Sequence, residues 1–243
     1  LSKVLGNRFS FPKSLYLVKE CLTACLQKKD SLILDFFAGS GTTLHAVNLM
    51  NAEDGGNRRC IMVTNNEVSV EEAKKLTQQG YKPGDPEWEA LGIAKYVTWP
   101  RSVCSIEGKD INGYPLKGEY ITLSGKKINM SDGFTANVKY FKCDWTPRKP
   151  EDYLLSNVLC LHIKEMIELQ TAQEVDGVKN VLILNRDDFN KHILNTEAFK
   201  KIENIWLNQN MVLSVEEMRL LAQKSFKYIP REYFGQELRE AAE

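Results

Sequence analysis

The stretch S-L-I-L-D-F-F-A-G-S-G-T-T, residues 31–43, decides the fold. Leu32, Ile33 and Leu34 form an apolar run of the kind buried in a parallel sheet. Asp35 and two aromatics, Phe36 and Phe37, end the run. A small-residue turn follows, Ala38, Gly39, Ser40 and Gly41. Thr42 and Thr43 then open a helical pattern carried by Leu44, Ala46, Val47 and Met50. Strand, glycine turn and helix in this order predict a nucleotide-type site at the carboxyl edge of a parallel sheet. Glycine permits positive φ and close approach of a ligand. The new helix presents free N–H groups and a positive dipole end to an anionic group.

The details of the turn narrow the ligand. A phosphate-binding P-loop needs Gly-Lys-Ser/Thr, and here Thr42 and Thr43 follow Gly41, so no lysine reaches a phosphate. A dinucleotide fingerprint needs Gly or Ala three residues after its second glycine. That place is Leu44, which would crowd a pyrophosphate and disfavours a nicotinamide-dependent oxidoreductase. A turn of short reach and no cation suits a carboxylate plus an adenosine. The plainer reading is a tight βα turn in an unrelated α/β domain.

D-F-F-A-G-S-G-T-T resembles the S-adenosylmethionine (SAM) motif of β-class amino DNA methyltransferases. That resemblance implies an α/β fold, a partial Rossmann-like SAM-dependent methyltransferase sheet, with Asp35, Phe36, Phe37, Ala38, Gly39, Ser40, Gly41, Thr42 and Thr43 at the cofactor. Upstream, F-S-F-P-K-S-L-Y-L resembles the segment that precedes this motif in the family, with Ser14 where proline is more common. The resemblance places Phe11, Pro12, Lys13 and Ser14 near the amino-acid end of SAM. Read without it, the segment is a capped amphipathic helix, with Leu15, Val18, Leu22 and Leu26 on one face and Pro12 near its start.

Residues 51–59 read as a loop, and 60–64 as a short buried strand ending in Asn65, Asn66 and Glu67. An acid at the tip of the second strand suits the ribose hydroxyls, because a carboxylate accepts two hydrogen bonds in parallel. The spacing from Asp35 exceeds the usual ~20 residues, and the 53–59 loop accounts for the excess. V-T-N-N-E resembles the matching segment of adenine-specific methylases, which assigns Asn66 and Glu67 to the cofactor. Ser69 and Glu72 also have the spacing of a helix cap. K-P-G-D-P-E-W reads as a turn-rich connector. K-Y-V-T-W-P-R resembles a family element in which Arg101 faces either DNA phosphates or a carboxylate. Residues 105–133 read as hairpin or irregular loop, and V-K-Y-F-K-C-D-W, with its alternation, as a strand; it resembles the family strand that closes the SAM half of the sheet.

Thr146-Pro147-Arg148-Lys149-Pro150 is a stiff break. It divides residues 1–146, the SAM-binding part, from residues 151–243, a smaller C-terminal α/β domain. In the latter, helices are expected from Glu151 to Leu169, from Asp187 to Leu194 and after the capping box Ser214/Glu217, with strands at 180–185, 205–207 and 226–229. The ending resembles the tail of type III-like modification subunits.

Totals set the outer limits. The chain has 243 residues and zero formal net charge. A self-sufficient DNA-binding protein usually carries a basic excess, so either nucleic acid is not the partner or the main DNA-gripping region is not in this chain. Six cysteines are scattered with no C-x-x-C pair, which predicts reduced core thiols and no metal site. The three histidines, His45, His162 and His192, sit in helical patterns and are expected to be structural. No apolar run approaches the roughly 18 residues of a membrane helix, no signal peptide is evident, and a cytoplasmic location is expected.

Transfer of a methyl group to an exocyclic base amine requires the base to leave the stack. The family does this with a [D/N/S]-P-P-[Y/F/W] loop. No Pro-Pro pair occurs here, and Asp85-Pro86-Glu87-Trp88 lacks the second proline. No catalytic residue is therefore assigned. In the β order this loop precedes the P-K-S helix, so the chain, which begins with Leu1 rather than Met, is expected to be the C-terminal half of a DNA methyltransferase. The resemblance implies adenine N6 as the target when the enzyme is complete, with DNA reached through the missing half and a restriction subunit or a second copy as partner. The alternatives are a cytosine-N4 enzyme fragment or a non-catalytic assembly module.

Overall fold

A computed structural model describes residues 1–6, 8–9, 11–123, 125–143 and 155–229, with side chains in the last span described from residue 161. The chain divides into two compact units, Leu1–Tyr140 and Phe141–Glu243. The stiff break at 146–150, the start of the helix expected from Glu151 and the C-terminal tail lie outside the described residues. Among the described residues no helix is long and apolar enough to cross a membrane.

The first unit starts with a short helix α1, Ser2–Leu5, and then α2, Leu15–Cys25, whose first turn is capped by the Ser14 hydroxyl. Strand β1, Leu32–Asp35, leads through the glycine turn into α3, Thr42–Asp54, and β2, Arg59–Met62, returns parallel to β1 with Asp35 opposite Met62. This is a βαβ unit. Helix α3 outruns its expected end at residue 50 and stops at Gly55, whose φ of +69° is the left-handed cap that a side chain would resist. Its residues Leu44 to Met50 are buried without interruption. The helix lies against α2, β2 and the later helix Trp99–Glu107, which cover it on several sides. Lys19 of α2 and Glu53 of α3 form an ion pair whose side chains are almost out of solvent.

Beyond β2 come α4, Val70–Gln78, capped by Ser69, and a short α5, Pro86–Ala90, where the sequence reads as a connector. Pro86 at the first turn tolerates the helix because its missing N–H is one that would be unpaired there. A π-helical turn, Ala94–Thr98, runs into α6, Trp99–Glu107. An antiparallel pair follows, β3, Glu119–Tyr120, and β4, Ile128–Asn129, within the region expected to hold a hairpin.

The strand expected from Val138 does not form over residues 138–143. Alternation makes a strand only where a neighbouring edge offers hydrogen bonds, and no described strand pairs with these residues. Tyr140 instead lays its ring edge-on against Trp99, 5.6 Å between centroids. The cysteines also depart from expectation. Cys104 is buried, but Cys21, Cys25 and Cys143 are exposed, because the first two fall on the solvent side of α2.

The second unit holds α7, Leu155–Thr171, and a parallel sheet ordered β5-β6-β7: Asn180–Ile183, Asn204–Leu207 and Ser225–Tyr228. Helix α8, Arg186–Phe189, continues as a π-helical turn, Asn190–Leu194, and α9, Thr196–Lys201, completes the first crossover. Helix α10, Val215–Leu221, makes the second. Strand alternation sorts the core into two faces. Val181, Ile183, Ile205 and Leu207 pack with Phe189, Ile193 and Leu221 of the crossovers. Leu182, Leu184 and Trp206 pack with Ile163 and Ile167 of α7. The expected Ser214/Glu217 capping box is present with both of its hydrogen bonds.

Candidate functional site

Asp35 ends β1 and bridges the turn. Its Oδ1 accepts the Phe37 N–H at 3.1 Å and its Oδ2 accepts the Thr43 hydroxyl at 2.5 Å. A carboxylate has about four lone-pair sites, so each oxygen keeps one for a ligand. The turn is anchored to the sheet, since the Ala38 N–H donates to Val63 O and the Val63 N–H to Asp35 O. Gly39 and Gly41 have φ of +50° and +74°. Gly41 is the N-cap of α3 and no side chain caps that helix, so its first amides point from the turn with the dipole's positive end. Phe36 and Phe37 stand out in solvent, the latter 93% exposed.

The turn is held from beneath by residues that the sequence does not assign to it. Thr98 donates its hydroxyl to Gly39 O at 2.5 Å. Arg101, 2% exposed, donates from Nη1 to Ser40 O, to Ser40 Oγ and to Thr42 Oγ1 at 3.2, 3.0 and 2.7 Å. Arg101 therefore meets neither DNA phosphate nor a carboxylate. Burial lowers its pKa to about 10, so it stays charged at neutral pH and adds to the positive field under the start of α3. A signal for this was legible. Thr98, Arg101, Ser102 and Ser105 recur at helical spacing and are all buried, a polar stripe that only a polar partner could satisfy.

The remaining expected residues divide. Val63, Thr64 and Asn65 carry the chain from β2 to Glu67, and because β1 and β2 run parallel, Glu67 leaves the same sheet edge as Asp35. Its side chain is exposed and accepts a hydrogen bond from Asn65 at 3.3 Å. Asn66 turns inward. Its Nδ2 donates to Glu89 O and Glu89 Oε2, both at 2.8 Å, and its Oδ1 accepts the Lys95 N–H at 3.2 Å. It ties α5 to the chain after β2, and a Cβ on Gly92 would fall 2.3 Å from its side chain.

Ser14 spends its hydroxyl oxygen on the α2 cap, accepting from Leu17 N–H at 3.4 Å. Phe11 and Lys13 are exposed and Pro12 is half-buried. Pro12, Lys13 and Ser14 line a cavity of about 280 Å³ together with His45 of α3 and Arg101 of α6. The P-K-S segment thus shares this cavity with α3 and α6, whereas no residue from Asp35 to Thr43 lines it. His45, 5% exposed, hydrogen-bonds the Tyr120 hydroxyl through Nε2 at 2.8 Å, and burial drives its pKa down to about 3. It is a neutral ring at pH 7. Among the described residues no cluster of three or more potential ligands could hold a metal ion.

This arrangement offers hydrogen-bond acceptors at the tips of two adjacent parallel strands, an uncapped helix start between them and exposed aromatics beside it. Those are the contacts an adenosine linked to an amino acid would use. Residues 2–75 match the DNA methylase family. The chain is similar to a type II methyltransferase, M.KpnI of Klebsiella pneumoniae, 45% identical over 67 residues, which are 27% of this chain and 16% of that protein. It is similar to the Mod subunit of the type III restriction-modification enzyme StyLTI of Salmonella typhimurium, 50% identical over 58 residues, 24% of this chain and 9% of the relative. The EcoPI Mod subunit of Escherichia phage P1 is 42% identical over 83 residues, 34% of this chain and 12% of its own. The matches thus span no more than 16% of the length of these curated relatives. Residues 2–75, which hold α2, the glycine turn and the βαβ unit around it, are the part of the chain that is similar to the DNA methylase family.

Proposed function

We propose that this chain is the SAM-binding portion of a site-specific DNA methyltransferase that, when complete, methylates adenine at N6. One observation carries the reading: the uncapped start of α3 and the Asp35 carboxylate flank a turn whose glycines are left-handed. SAM supplies the methyl group. The start of α3 and Arg101 beneath it favour its negative end, Glu67 suits its ribose, and Phe36 and Phe37 suit its adenine face. Of the residues expected from the sequence, Asn66 has its amide committed within the protein, as Ser14, Ser40 and Thr42 have their hydroxyl oxygens. Phe11, Pro12 and Lys13 are proposed to border the amino-acid end.

Base handling and the grip on DNA are proposed to reside in sequence outside this chain. Two features support that division. The Pro-Pro loop is absent from the 243 residues. Among the described residues the sheet that holds β1 also has only β2, and Leu32 and Leu34 are half exposed on one face. Adenine over cytosine rests on the V-T-N-N-E segment. A restriction subunit is the proposed partner, because two of the relatives are Mod subunits of restriction-modification enzymes.

The test is thermal melting with SAM or S-adenosylhomocysteine. Ligand at 100 times its dissociation constant adds about 2.7 kcal/mol to the stability of the unit that binds it. Asp35→Ala and Gly41→Arg should abolish the shift and His192→Ala should leave it intact. No shift at millimolar ligand would favour the assembly-module alternative, and full affinity in Asp35→Ala would move the pocket elsewhere.

A further inference from the structure

A cavity of about 260 Å³ lies wholly within the second unit. Three stretches line it. Gly177 and Val178 come from the loop before β5, Lys191 and His192 from the π-helical turn, and Asn195, Ala198 and Lys201 from α9 and its cap. Its lining holds two lysines and an imidazole, and no acidic side chain. The acids nearby are already committed. The Asp176 carboxylate accepts the N–H groups of Val178, Lys179 and Asn180. Glu197 pairs with Lys200 and Glu203 with Lys179, each at 2.8 Å. Asp188 accepts the Leu184 N–H at 3.0 Å. Among the described residues neither Lys191 nor Lys201 makes an ion pair or a side-chain hydrogen bond. Asn195 uses its Oδ1 on the amides of Glu197 and Ala198, and its Nδ2 donates to nothing among the described residues. His192 feels the surplus of positive charge: burial lowers its pKa, Lys191 lowers it further, and Asp188 opposes them. The π-helical turn that carries Lys191 and His192 is an irregularity of a kind frequent at functional sites.

The chemistry of these groups selects the ligand. A carboxylate offers two coplanar oxygens and fits the planar fork of an arginine. Ammonium groups are point charges that approach from separate directions, which suits the tetrahedral oxygens of a phosphate. The cavity is smaller than the ~300 Å³ at which sites for whole drug-sized molecules begin, so it takes such a group with a short stem. Val178 and Ala198 give the stem apolar contact. We infer that this cavity binds a doubly charged phosphate group, with Lys191 and Lys201 on its oxygens and His192 and the Asn195 amide as further donors. Two ammonium groups balance the charge of about −2 that a phosphate monoester carries near neutral pH, whereas a phosphodiester brings only one negative charge. Every residue used lies in the second unit, so the inference stands without the cofactor reading. Two sources can supply the same group: the free phosphate ion, or a monoester of a small organic molecule.

The experiment titrates the whole chain with inorganic phosphate against sodium chloride at equal ionic strength, read by amide and imidazole NMR shifts. The shifts should saturate at Gly177, Val178 and Asn195. Bound phosphate should also raise the pKa of His192, because an anion beside the ring favours the imidazolium. Lys191→Ala and Lys201→Ala, both at exposed positions, should each weaken binding roughly tenfold, the loss of one charge-assisted hydrogen bond. Lys227→Ala removes the same charge from the opposite face of the sheet, where Lys227 stands across from Trp206, and should leave the affinity unchanged. Shifts that do not saturate, a His192 pKa that does not move, or equal losses in Lys227→Ala and Lys201→Ala overturn the site. Dimethyl phosphate, with its single charge, should bind more weakly than phosphate, and equal affinity overturns the site as well. Propyl phosphate then distinguishes the sources. Affinity equal to or above that of the ion identifies a monoester, and lower affinity identifies the free ion; both outcomes keep the site. A protein that binds S-adenosylhomocysteine but not phosphate would refute this inference and leave the proposed function standing.

Discussion

Replacing Gly41 by alanine should destabilise the first unit more than the same change at Gly55, although both ask for a left-handed residue at an end of α3. Their φ angles are alike, +74° and +69°. The strain of an L residue there is about 1–2 kcal/mol at either site, and the reduced entropy of the unfolded chain offsets part of it equally. The surroundings differ. A Cβ at Gly55 meets nothing within 4 Å, whereas at Gly41 it meets Thr98 Cγ2 at 3.3 Å and Thr98 O at 3.5 Å. Thr98 has little room to yield, because its hydroxyl is bonded to both Gly39 O and Ile93 O. Overpacking of this kind costs about 1–3 kcal/mol. Gly55→Ala should therefore cost about 1 kcal/mol, and Gly41→Ala about 2–3 kcal/mol. Urea titration read by hydrogen exchange at the α3 amides isolates this unit from the second. Thr98→Ser in the Gly41→Ala background keeps the hydroxyl and removes Cγ2, so it should recover about 1 kcal/mol as a coupling energy. Equal losses at Gly41 and Gly55, or no recovery, would refute the account of the turn as clamped from below.

Three further outcomes follow from buried charge and capping. Lys19→Met removes the buried cation paired with Glu53, whose Oε1 also accepts the Leu123 N–H, and should cost about 3 kcal/mol in urea unfolding, while Lys19→Met with Glu53→Met should restore part of it; a double variant no better than the single would contradict the pairing. His45 is held neutral by burial, with a pKa of about 3 against 6.5 when unfolded. The unfolded chain thus binds the proton first as pH falls. Stability should decline from about pH 6.5 toward pH 3, by up to roughly 1.4 kcal/mol per pH unit from this group, and His45→Gln should flatten that slope. Ser214→Ala removes half of a capping box and should cost about 1 kcal/mol in the second unit, with the loss seen in exchange at the α10 amides.

Much of this protein was determined by its sequence alone, wherever the physics is local. The glycine turn, the Ser69 and Ser214 caps and the periodic face of α2 depend on a few neighbouring residues, so reading those residues predicts them. The same holds for the short buried strands of the second unit, whose alternation matches the two faces they cover. Tertiary structure decided the rest. Asn66 stands beside Glu67 in the chain, yet its amide is captured by Glu89 and Lys95 from elements that arrive more than twenty residues later. Residues 138–143 have the alternation of a strand but lack the partner edge that would make one. Arg101 lies 61 residues from Ser40, and no local pattern tells whether a guanidinium reaches outward to a phosphate or inward to a carbonyl. Packing of α6 against α3 settles that direction, because a buried cation must find acceptors wherever the fold brings them.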